Sequence, residues 1–311
     1  MLDATAKALF HGLAQVPTLQ RLASKYGMAP GGFARRFIAG ENIDEAIGAV
    51  KDLPAKGLNL TLDYLGESVS SAAAAAAAAA DYVSIIGKIV ESGIERNVSL
   101  KLTQLGLDVD RATAVDNMRR ILEPADASGF FVRIDMENSP YTDATLEIVD
   151  TLRRQGHTNV GTVIQSYLKR SADDIRRLNA NSVRVRLVKG AYKEPKGIAY
   201  QKKSEVDAAY IELMRTLLDE GTYPAIATHD VHMIDAAKAY AKSKGYANDR
   251  FEFQMLYGIR RDLQTALVKE GYRVRVYVPF GQQWYPYFMR RLGERPANVG
   301  FVLKGIASDK G

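Results

Sequence analysis

Cysteine is absent from this sequence of 311 residues. Its absence excludes disulfides, a thiolate nucleophile and the cysteine-bound zinc and iron–sulfur sites. Histidine is scarce, with four in the chain, and His229 and His232 lack the i,i+4 spacing typical of zinc-binding helices. We therefore predict no metal site.

Long hydrophobic runs are also missing. No uninterrupted apolar run reaches the roughly 18 residues that suggest a membrane span, and the N-terminal MLDATAKALF does not read as a signal peptide. The net charge of +6 permits an anionic substrate, a membrane surface or nucleic acid as partner. The basic residues form scattered pairs without interleaved aromatics, which disfavours nucleic acid. We expect a cytoplasmic protein, peripheral at the inner face of the membrane.

Short β-branched apolar runs recur along the chain, and segments with helical periodicity separate them. The runs are 58–65, 98–105, 130–136, 160–166, 183–189, 225–230, 251–257 and 273–280. Eight βα units in about 250 residues predict a (β/α)₈ barrel of the TIM type. An open doubly wound sheet is the alternative, but its glycine fingerprints, GxGxxG and GxxxxGK[ST], do not occur.

The predicted organisation is a single, distorted barrel domain over residues 1–311. Extra N-terminal helices occupy 1–55, the barrel occupies 56–300 with a C-terminal helix over its mouth, and 301–311 is a tail. Nine consecutive alanines, Ala72–Ala80, fit the first barrel helix because alanine is the best helix former. We assign this tract no function.

Polar side chains lie at the predicted strand ends, where barrel enzymes place their catalytic residues. They are Glu67, Lys101, Asp135, Gln165, Arg186, Thr228, His229, Gln254 and Tyr277. Each residue alone has a structural explanation, such as pairing with a neighbouring strand. Together they favour an active site.

The segment WYPYFMRRLGERPAN (284–298) follows the last predicted strand. At about 100° per residue, Tyr287, Arg290, Arg291 and Glu294 share one helical face. Two guanidiniums beside a tyrosine suit a buried carboxylate or phosphate. A solvent-facing basic surface is the alternative.

These segments resemble the proline dehydrogenase family, flavin-dependent barrel enzymes that oxidise L-proline to 1-pyrroline-5-carboxylate. The matching segments span roughly residues 40–300 in the family's order: LGES (65–68), SLKLTQLGL (99–107), RIDME (133–137), VIQSYLKR (163–170), VRLVKGAYKEP (185–195), ATHD (227–230), FEFQMLYG (251–258), VYVPFG (276–281) and Y-x-x-RR-x-x-E (287–294). The resemblance implies the monofunctional enzyme, without the further domains of bifunctional fusions.

The resemblance also implies a substrate site. Lys101, Arg290 and Arg291 would hold the proline carboxylate. Tyr277, Tyr287 and Leu256 would surround the ring. An ion pair between Glu67 and Arg290 would close the site.

FAD is the implied cofactor. Arg186 would lie beside the flavin, where a fixed cation favours the reduced anion, and Asp135 is the one candidate general base. The remaining implied cofactor-binding residues are Met136, Gln165, Lys189, Gly190, Ala191, Tyr192, Thr228, His229 and Glu294.

The implied partners are a quinone acceptor at the membrane surface and 1-pyrroline-5-carboxylate dehydrogenase, which would take the product. A flavin barrel acting on hydroxyproline or a methylenetetrahydrofolate-type substrate is the alternative enzyme. A basic nucleic-acid-binding barrel is the alternative without catalysis.

Overall fold

The structure is a computed structural model. It describes residues 27–28 and 32–294, without the side chains of Phe33 and of residues 290–294. Eight parallel strands pair in chain order and close into a barrel. They are β1 (Leu58–Tyr64), β2 (Asn97–Leu100), β3 (Phe131–Ile134), β4 (Val160–Gln165), β5 (Val185–Val188), β6 (Ala225–Ala227), β7 (Glu252–Leu256) and β8 (Arg273–Phe280).

Helices alternate with the strands and form the outer layer. They are α1 (Ile43–Val50) before the barrel, then α2 (Ala72–Ser92), α3 (Arg111–Ala127), α4 (Thr142–Arg154), α5 (Ser171–Ala180), α6 (Lys203–Glu220), α7 (Val231–Ser243), α8 (Arg261–Lys269) and α9 (Trp284–Glu294). Short 3₁₀ helices lie at Phe33–Arg36, Pro54–Lys56 and Ser139–Tyr141. The predicted (β/α)₈ fold and all eight predicted strands are confirmed.

The largest difference from the predicted boundaries is at β2, which was expected to run to residue 105. The strand ends at Leu100, and hydrogen-bonded turns follow, including Leu105 N–H to the Leu102 carbonyl at 3.0 Å. Lys101 therefore lies at the first position beyond the strand, at the mouth of the barrel.

The apolar core lies between the strands and the helices. Leu60, Val98 and Val132, for example, are fully buried in the same cluster as helix residues such as Ile86 and Met118. The interior of the barrel is polar instead. Successive side chains along a strand point to opposite faces of the sheet. The residues between these apolar positions therefore point into the barrel, and many of them are charged.

Hydrogen bonds across the interior demonstrate this arrangement. Arg133 on β3 donates to Gln254 on β7 at 3.3 Å. Tyr277 on β8 donates to Asp135, just after β3, at 2.7 Å. Neither pair of strands is adjacent in the barrel, so both bonds span its interior.

Within the described residues, one helix, α2, is long and apolar enough by length and composition to cross a membrane, with a mean hydropathy of 1.5. The sequence had suggested no such segment because Asp81 and Lys88 interrupt the run. The polyalanine tract raises the average. In the structure α2 is the outer helix between β1 and β2, and Tyr82, Ile86 and Ile89 on its inner face are buried in the main core.

The chain before β1 packs onto the C-terminal helix. Phe37 and Ile38 form a second apolar cluster with Trp284 and Phe288 of α9. Helix α1 is capped at its start, since Glu45 N–H donates to Asn42 Oδ1 at 3.0 Å. This packing positions α9 beside the barrel mouth. The tail predicted at 301–311 and most of the predicted N-terminal helical region lie outside the described residues.

Candidate active site

Lys101 is a buried cation between two carboxylates. Its Nζ lies 3.7 Å from Asp63 Oδ1 on β1 and 4.0 Å from Asp135 Oδ2 just after β3. Burial by itself favours the neutral amine. The carboxylates of Asp63 and Asp135 outweigh burial and raise the pKa of Lys101 well above its ordinary value. Lys101 is therefore a permanent positive charge at the barrel mouth.

Asp135 accepts hydrogen bonds on both of its oxygens. Ser99 Oγ donates to Oδ1 at 2.7 Å, and the Tyr277 hydroxyl donates to Oδ2 at 2.7 Å. Burial, followed by the charge of Asp135, raises the pKa of Tyr277 well above its ordinary value. The phenol consequently stays protonated and remains a donor. Residues of two strands, β2 and β8, thus fix this carboxylate.

Arg186 is fixed by Gln254. Its Nε donates to Gln254 Oε1 at 2.7 Å, and its guanidinium carbon lies 5.2 Å from the centre of the Tyr277 ring. Between β5 and β7, strand β6 contributes only small residues at this level, Ala225 and Ala227. The arginine can therefore reach across β6 to its acceptor.

A buried polar network continues from Gln254 toward the other end of the barrel. Gln254 Nε2 donates to Glu252 Oε1 at 2.5 Å, and Arg275 Nε donates to the same oxygen at 2.8 Å. Arg275 also pairs with Glu95 at 2.7 Å. Although burial opposes ionisation, the adjacent Arg275 keeps the pKa of Glu252 below its usual value. The network gives Gln254 one orientation.

The loop after β5 contains four of the residues predicted to bind the cofactor. Lys189 Nζ pairs with Asp207 at 2.6 Å and with Asp230 at 2.7 Å. Gly190 has φ +113, and a Cβ there would overlap the Tyr167 ring. Only glycine fits this position, both sterically and conformationally. Ala191 and Tyr192 follow in the same loop.

Four of the remaining predicted cofactor-binding residues lie at the end of, or just after, three further strands. Met136 is buried after β3. Gln165 ends β4 and donates to the Glu137 carbonyl at 2.9 Å. Thr228 Oγ1 accepts from the Asp230 amide at 3.0 Å, and His229 Nε2 accepts from the Leu256 amide at 2.9 Å. An accepting Nε2 requires a neutral ring in this contact.

A small cavity opens at the barrel mouth. Its lining residues are Leu65, Gly66, Glu67, Lys101, Gln283, Pro286 and Tyr287. Three predicted substrate-site residues, Glu67, Lys101 and Tyr287, are therefore brought together. Leu256 and Tyr277 form adjacent strand positions in the β7–β8 register.

The two arginines and the glutamate of α9 cannot be placed in the same way. Arg290, Arg291 and Glu294 belong to the backbone of the helix, but their side chains lie outside the described residues. The ion pair between Glu67 and Arg290 and the three-cation carboxylate site stay predictions.

Four residues of this region were absent from the predicted site: Asp63, Ser99, Thr103 and Glu137. Asp63 and Ser99 alternate with apolar residues inside strands, and this alternation indicates that their side chains point into the barrel. Thr103 and Glu137 lie in turns beyond the strands, where periodicity gives no signal. Within the portion of the chain that the structure describes, no cluster of three or more metal-ligating side chains occurs.

A closed (β/α)₈ barrel with ionisable side chains concentrated at its C-terminal mouth defines an enzyme of the TIM-barrel class. The model of the family described as "Proline dehydrogenase" matches residues 46–304. The chain is 44% identical over 288 residues to proline dehydrogenase 2 of Bacillus subtilis strain 168, covering 93% of this chain and 94% of that protein. It is 44% identical over 298 residues to proline dehydrogenase 1 of the same organism, covering 96% and 98%.

A solved structure agrees with the fold. Proline utilization A (PutA) from Bdellovibrio bacteriovorus, inactivated by N-propargylglycine, is similar with a TM-score of 0.78 and 28% identity over 84% of this chain. This chain spans about a third of that longer protein, since the match covers 32% of it. The chain belongs to the proline dehydrogenase family. The predicted family and the predicted oxidoreductase class are thereby confirmed.

Proposed function

We propose that this protein oxidises L-proline to 1-pyrroline-5-carboxylate, with FAD as hydride acceptor and a quinone as final electron acceptor. The observation that supports this most directly is the cluster of Lys101, Asp135, Tyr277 and Arg186 at the barrel mouth, in a chain that belongs to this family. In this cluster Lys101 is a fixed cation for the substrate carboxylate, Tyr277 is an aromatic wall, and Arg186 is a second fixed cation.

The residues of the β4, β5 and β6 ends suit a flavin dinucleotide. Arg186 offers a guanidinium of fixed direction because Gln254 holds its Nε. Gly190 exposes backbone without a side chain, as close approach to a phosphate or ribityl chain requires. Lys189 supplies a cation beyond it. When bound, FAD would take up the hydride from the substrate. We assign Met136, Gln165, Ala191, Tyr192, Thr228, His229 and Glu294 to the rest of this cofactor site.

The substrate carboxylate would bind at Lys101, with Arg290 and Arg291 completing its site. Lys101 is charged at all physiological pH values because two carboxylates flank it. Leu256, Tyr277 and Tyr287 would enclose the pyrrolidine ring, whose CH₂ groups need water-excluding walls rather than hydrogen bonds. Glu67 would close the site by pairing with Arg290.

Asp135 would act mainly through its neighbours. Its oxygens already accept from Ser99 and Tyr277 and face Lys101. We propose that proline binds with its amine neutral, so that loss of a hydride from C5 and of the proton from nitrogen gives the C=N bond without a dedicated base. The catalytic rate would then rise with pH as the neutral amine becomes more abundant.

The remaining parts of the proposal concern the location of the protein, its partners and its domain organisation. The protein would be cytoplasmic and would contact the inner membrane surface to reduce quinone, to which its net charge of +6 would add electrostatic attraction. A 1-pyrroline-5-carboxylate dehydrogenase would consume the product. The domain assignment, one domain over 1–311, is part of the same proposal.

Flavin absorbance tests the activity directly. The purified protein loaded with FAD should show an oxidised flavin spectrum that bleaches on addition of L-proline under anaerobic conditions. Reoxidation by a soluble quinone should restore it. Protein that does not take up FAD, or a flavin that L-proline does not reduce, would contradict the proposal. Faster bleaching by hydroxyproline would favour that substrate instead.

A further inference from the structure

The loop after β1, residues 65–71, carries Glu67 and is attached to the turn after β2. The Ser68 amide donates to Thr103 Oγ1 at 3.1 Å. The Val69 amide donates to the Thr103 carbonyl at 3.1 Å. Two hydrogen bonds of this loop segment are therefore made to one residue of the neighbouring loop.

The loop has a conformation that needs such support. Ser68 has φ +57, in the left-handed region that costs a non-glycine residue on the order of 1 kcal/mol. A Cβ at Gly66 would overlap the Gln104 side-chain amide. The loop thus lies close against residues 103–104, and its strained residue is the one whose amide binds Thr103. A strained backbone persists only where its surroundings hold it.

Thr103 is in turn fixed by Glu137, the residue after Met136. Thr103 Oγ1 donates to Glu137 Oε1 at 2.9 Å. Thr103 is fully buried and Glu137 is 6% exposed. The hydroxyl therefore uses its one proton toward Glu137 and a lone pair toward Ser68. Valine has the same shape and can make neither bond.

The hydrogen-bonded pair of Thr103 and Glu137 lies between the substrate side and the cofactor side of the proposed active site. Glu67 precedes Ser68 and lines the mouth cavity together with Lys101 and Tyr287. On the other side, the Glu137 carbonyl accepts from Gln165, a proposed cofactor-binding residue. One continuous hydrogen-bonded path thus joins the loops after β1, β2 and β3 to the end of β4.

We infer that Thr103, held by Glu137, is a positioning residue that fixes the 65–71 loop and thereby places Glu67 at the mouth of the active site. Its effect on kinetics rests on the proposed function, because Glu67 matters there as the residue that closes over proline. The effect of Thr103 on the loop does not depend on the proposed function. The two parts can be measured separately.

Hydrogen exchange of the holoenzyme measures the loop. In Thr103→Val and Thr103→Ala, the Ser68 amide loses its acceptor, and exchange in peptides covering residues 65–71 should accelerate about tenfold, which corresponds to about 1.4 kcal/mol. Thr103→Ser keeps the hydroxyl and should exchange like the wild type. Thr151→Val is the matched control, because the Thr151 hydroxyl bonds within the outer helix α4, donating to the Glu147 carbonyl and accepting from Arg154.

Steady-state kinetics measures the consequence. Loss of the hydroxyl should raise the KM for L-proline about three- to tenfold, the cost of one hydrogen bond, while kcat changes less than about twofold. Thr103→Ser should restore the wild-type KM, and Thr151→Val should leave both constants unchanged. The alanine variant leaves a small void instead of a misplaced methyl group, so it provides the test if the valine variant does not fold.

Two results would overturn the role of Thr103 in holding the loop. One is unchanged loop exchange in both hydroxyl-free variants. The other is a serine variant that behaves like alanine, because shape rather than the hydroxyl would then matter. A wild-type protein inactive on L-proline would instead contradict the proposed function, and the exchange experiment would still decide whether Thr103 holds the loop. Accelerated exchange with an unchanged KM would overturn the placement of Glu67.

Discussion

The Tyr277 hydroxyl donates a 2.7 Å hydrogen bond to Asp135 Oδ2 across the barrel interior. One residue of the proposed substrate wall therefore also holds the carboxylate that faces Lys101. The same ring lies against Arg186, at 5.2 Å from its guanidinium carbon. Substrate-side and cofactor-side groups are consequently coupled through a single aromatic side chain.

Replacing Tyr277 by phenylalanine should affect binding and stability together. It removes the donor to a buried carboxylate, so the free energy of unfolding should fall by about 1.5–3 kcal/mol. The KM for L-proline should rise as Lys101 and Asp135 lose their fixed arrangement. Urea unfolding and steady-state kinetics measure the two effects. Tyr240→Phe is the matched control, because its hydroxyl bonds Asp219 at 2.7 Å outside the barrel; equal kinetic effects in both variants would contradict this explanation.

Gln254 should tune the flavin without touching the substrate. In Gln254→Met, Arg186 Nε loses its acceptor, and the guanidinium is no longer held in one direction. The reduction potential of the bound FAD should fall by on the order of 30 mV, equivalent to about 1.4 kcal/mol for two electrons. Potentiometric titration of the holoenzyme gives this value. Gln155→Met, on the exposed end of α4, should leave the potential unchanged, and an unchanged potential in Gln254→Met would remove the glutamine from this role.

Glu137 should make stability depend on pH. Burial raises its pKa from 4.5 to about 7, against the opposing effects of Thr103 and Lys101 and with a further increase from Glu67. The native state therefore binds this proton more tightly than the unfolded state does. The resulting stabilisation is complete below pH 4.5 and is lost as the pH rises through about 7.

Glu137→Gln isolates that contribution. The difference in unfolding free energy between wild type and variant should decline by up to about 3 kcal/mol between the two pKa values. Urea unfolding from about pH 4 to about pH 8 measures it. Subtracting the unfolding free energy of the variant from that of the wild type at each pH removes the contribution of the groups that titrate in both proteins. Parallel stability curves would mean that Lys101 compensates the buried carboxylate fully.

Arg290 and Arg291 should matter for substrate affinity. Alanine at either position should raise the KM for L-proline by roughly tenfold or more, because each substitution would remove a proposed charge-assisted hydrogen bond to the substrate carboxylate, worth about 1.5–3 kcal/mol. Lysine should rescue only partly, since it lacks the guanidinium geometry. Arg176→Ala, on the exposed face of α5, is the control. Wild-type kinetics in both alanine variants would exclude the two arginines from the site.

Most of the architecture could be read from the sequence. Each strand carries its apolar residues in a short β-branched run, and helix periodicity fills the intervals, so all eight strands were found. Boundaries were less accurate where the last residues of a run form turns, as after Leu100. There Leu102 and Leu105 continue the pattern of interspersed apolar residues while the backbone leaves the sheet, and periodicity does not register the change.

The site was predicted unevenly for a related reason. Lys101 and Asp135 lie just after strands and Arg186 and Tyr277 lie within strands, and the barrel geometry itself predicts that such residues converge. Asp63, Thr103 and Glu137 depend on side-chain partners 34 or more residues away in the chain, as in the Thr103–Glu137 and Ser68–Thr103 bonds. No local pattern encodes which loop lies against which.

The sequence by itself therefore determined the barrel and the types of charge at its mouth, because alternation, helix periodicity and strand order are local properties. Only the tertiary structure decided that Lys101 lies between Asp63 and Asp135, that Gln254 fixes Arg186, and that Thr103 holds the loop of Glu67. Closing the barrel brings non-adjacent strands face to face, and the hydrogen bonds across its interior exist only once that closure is complete.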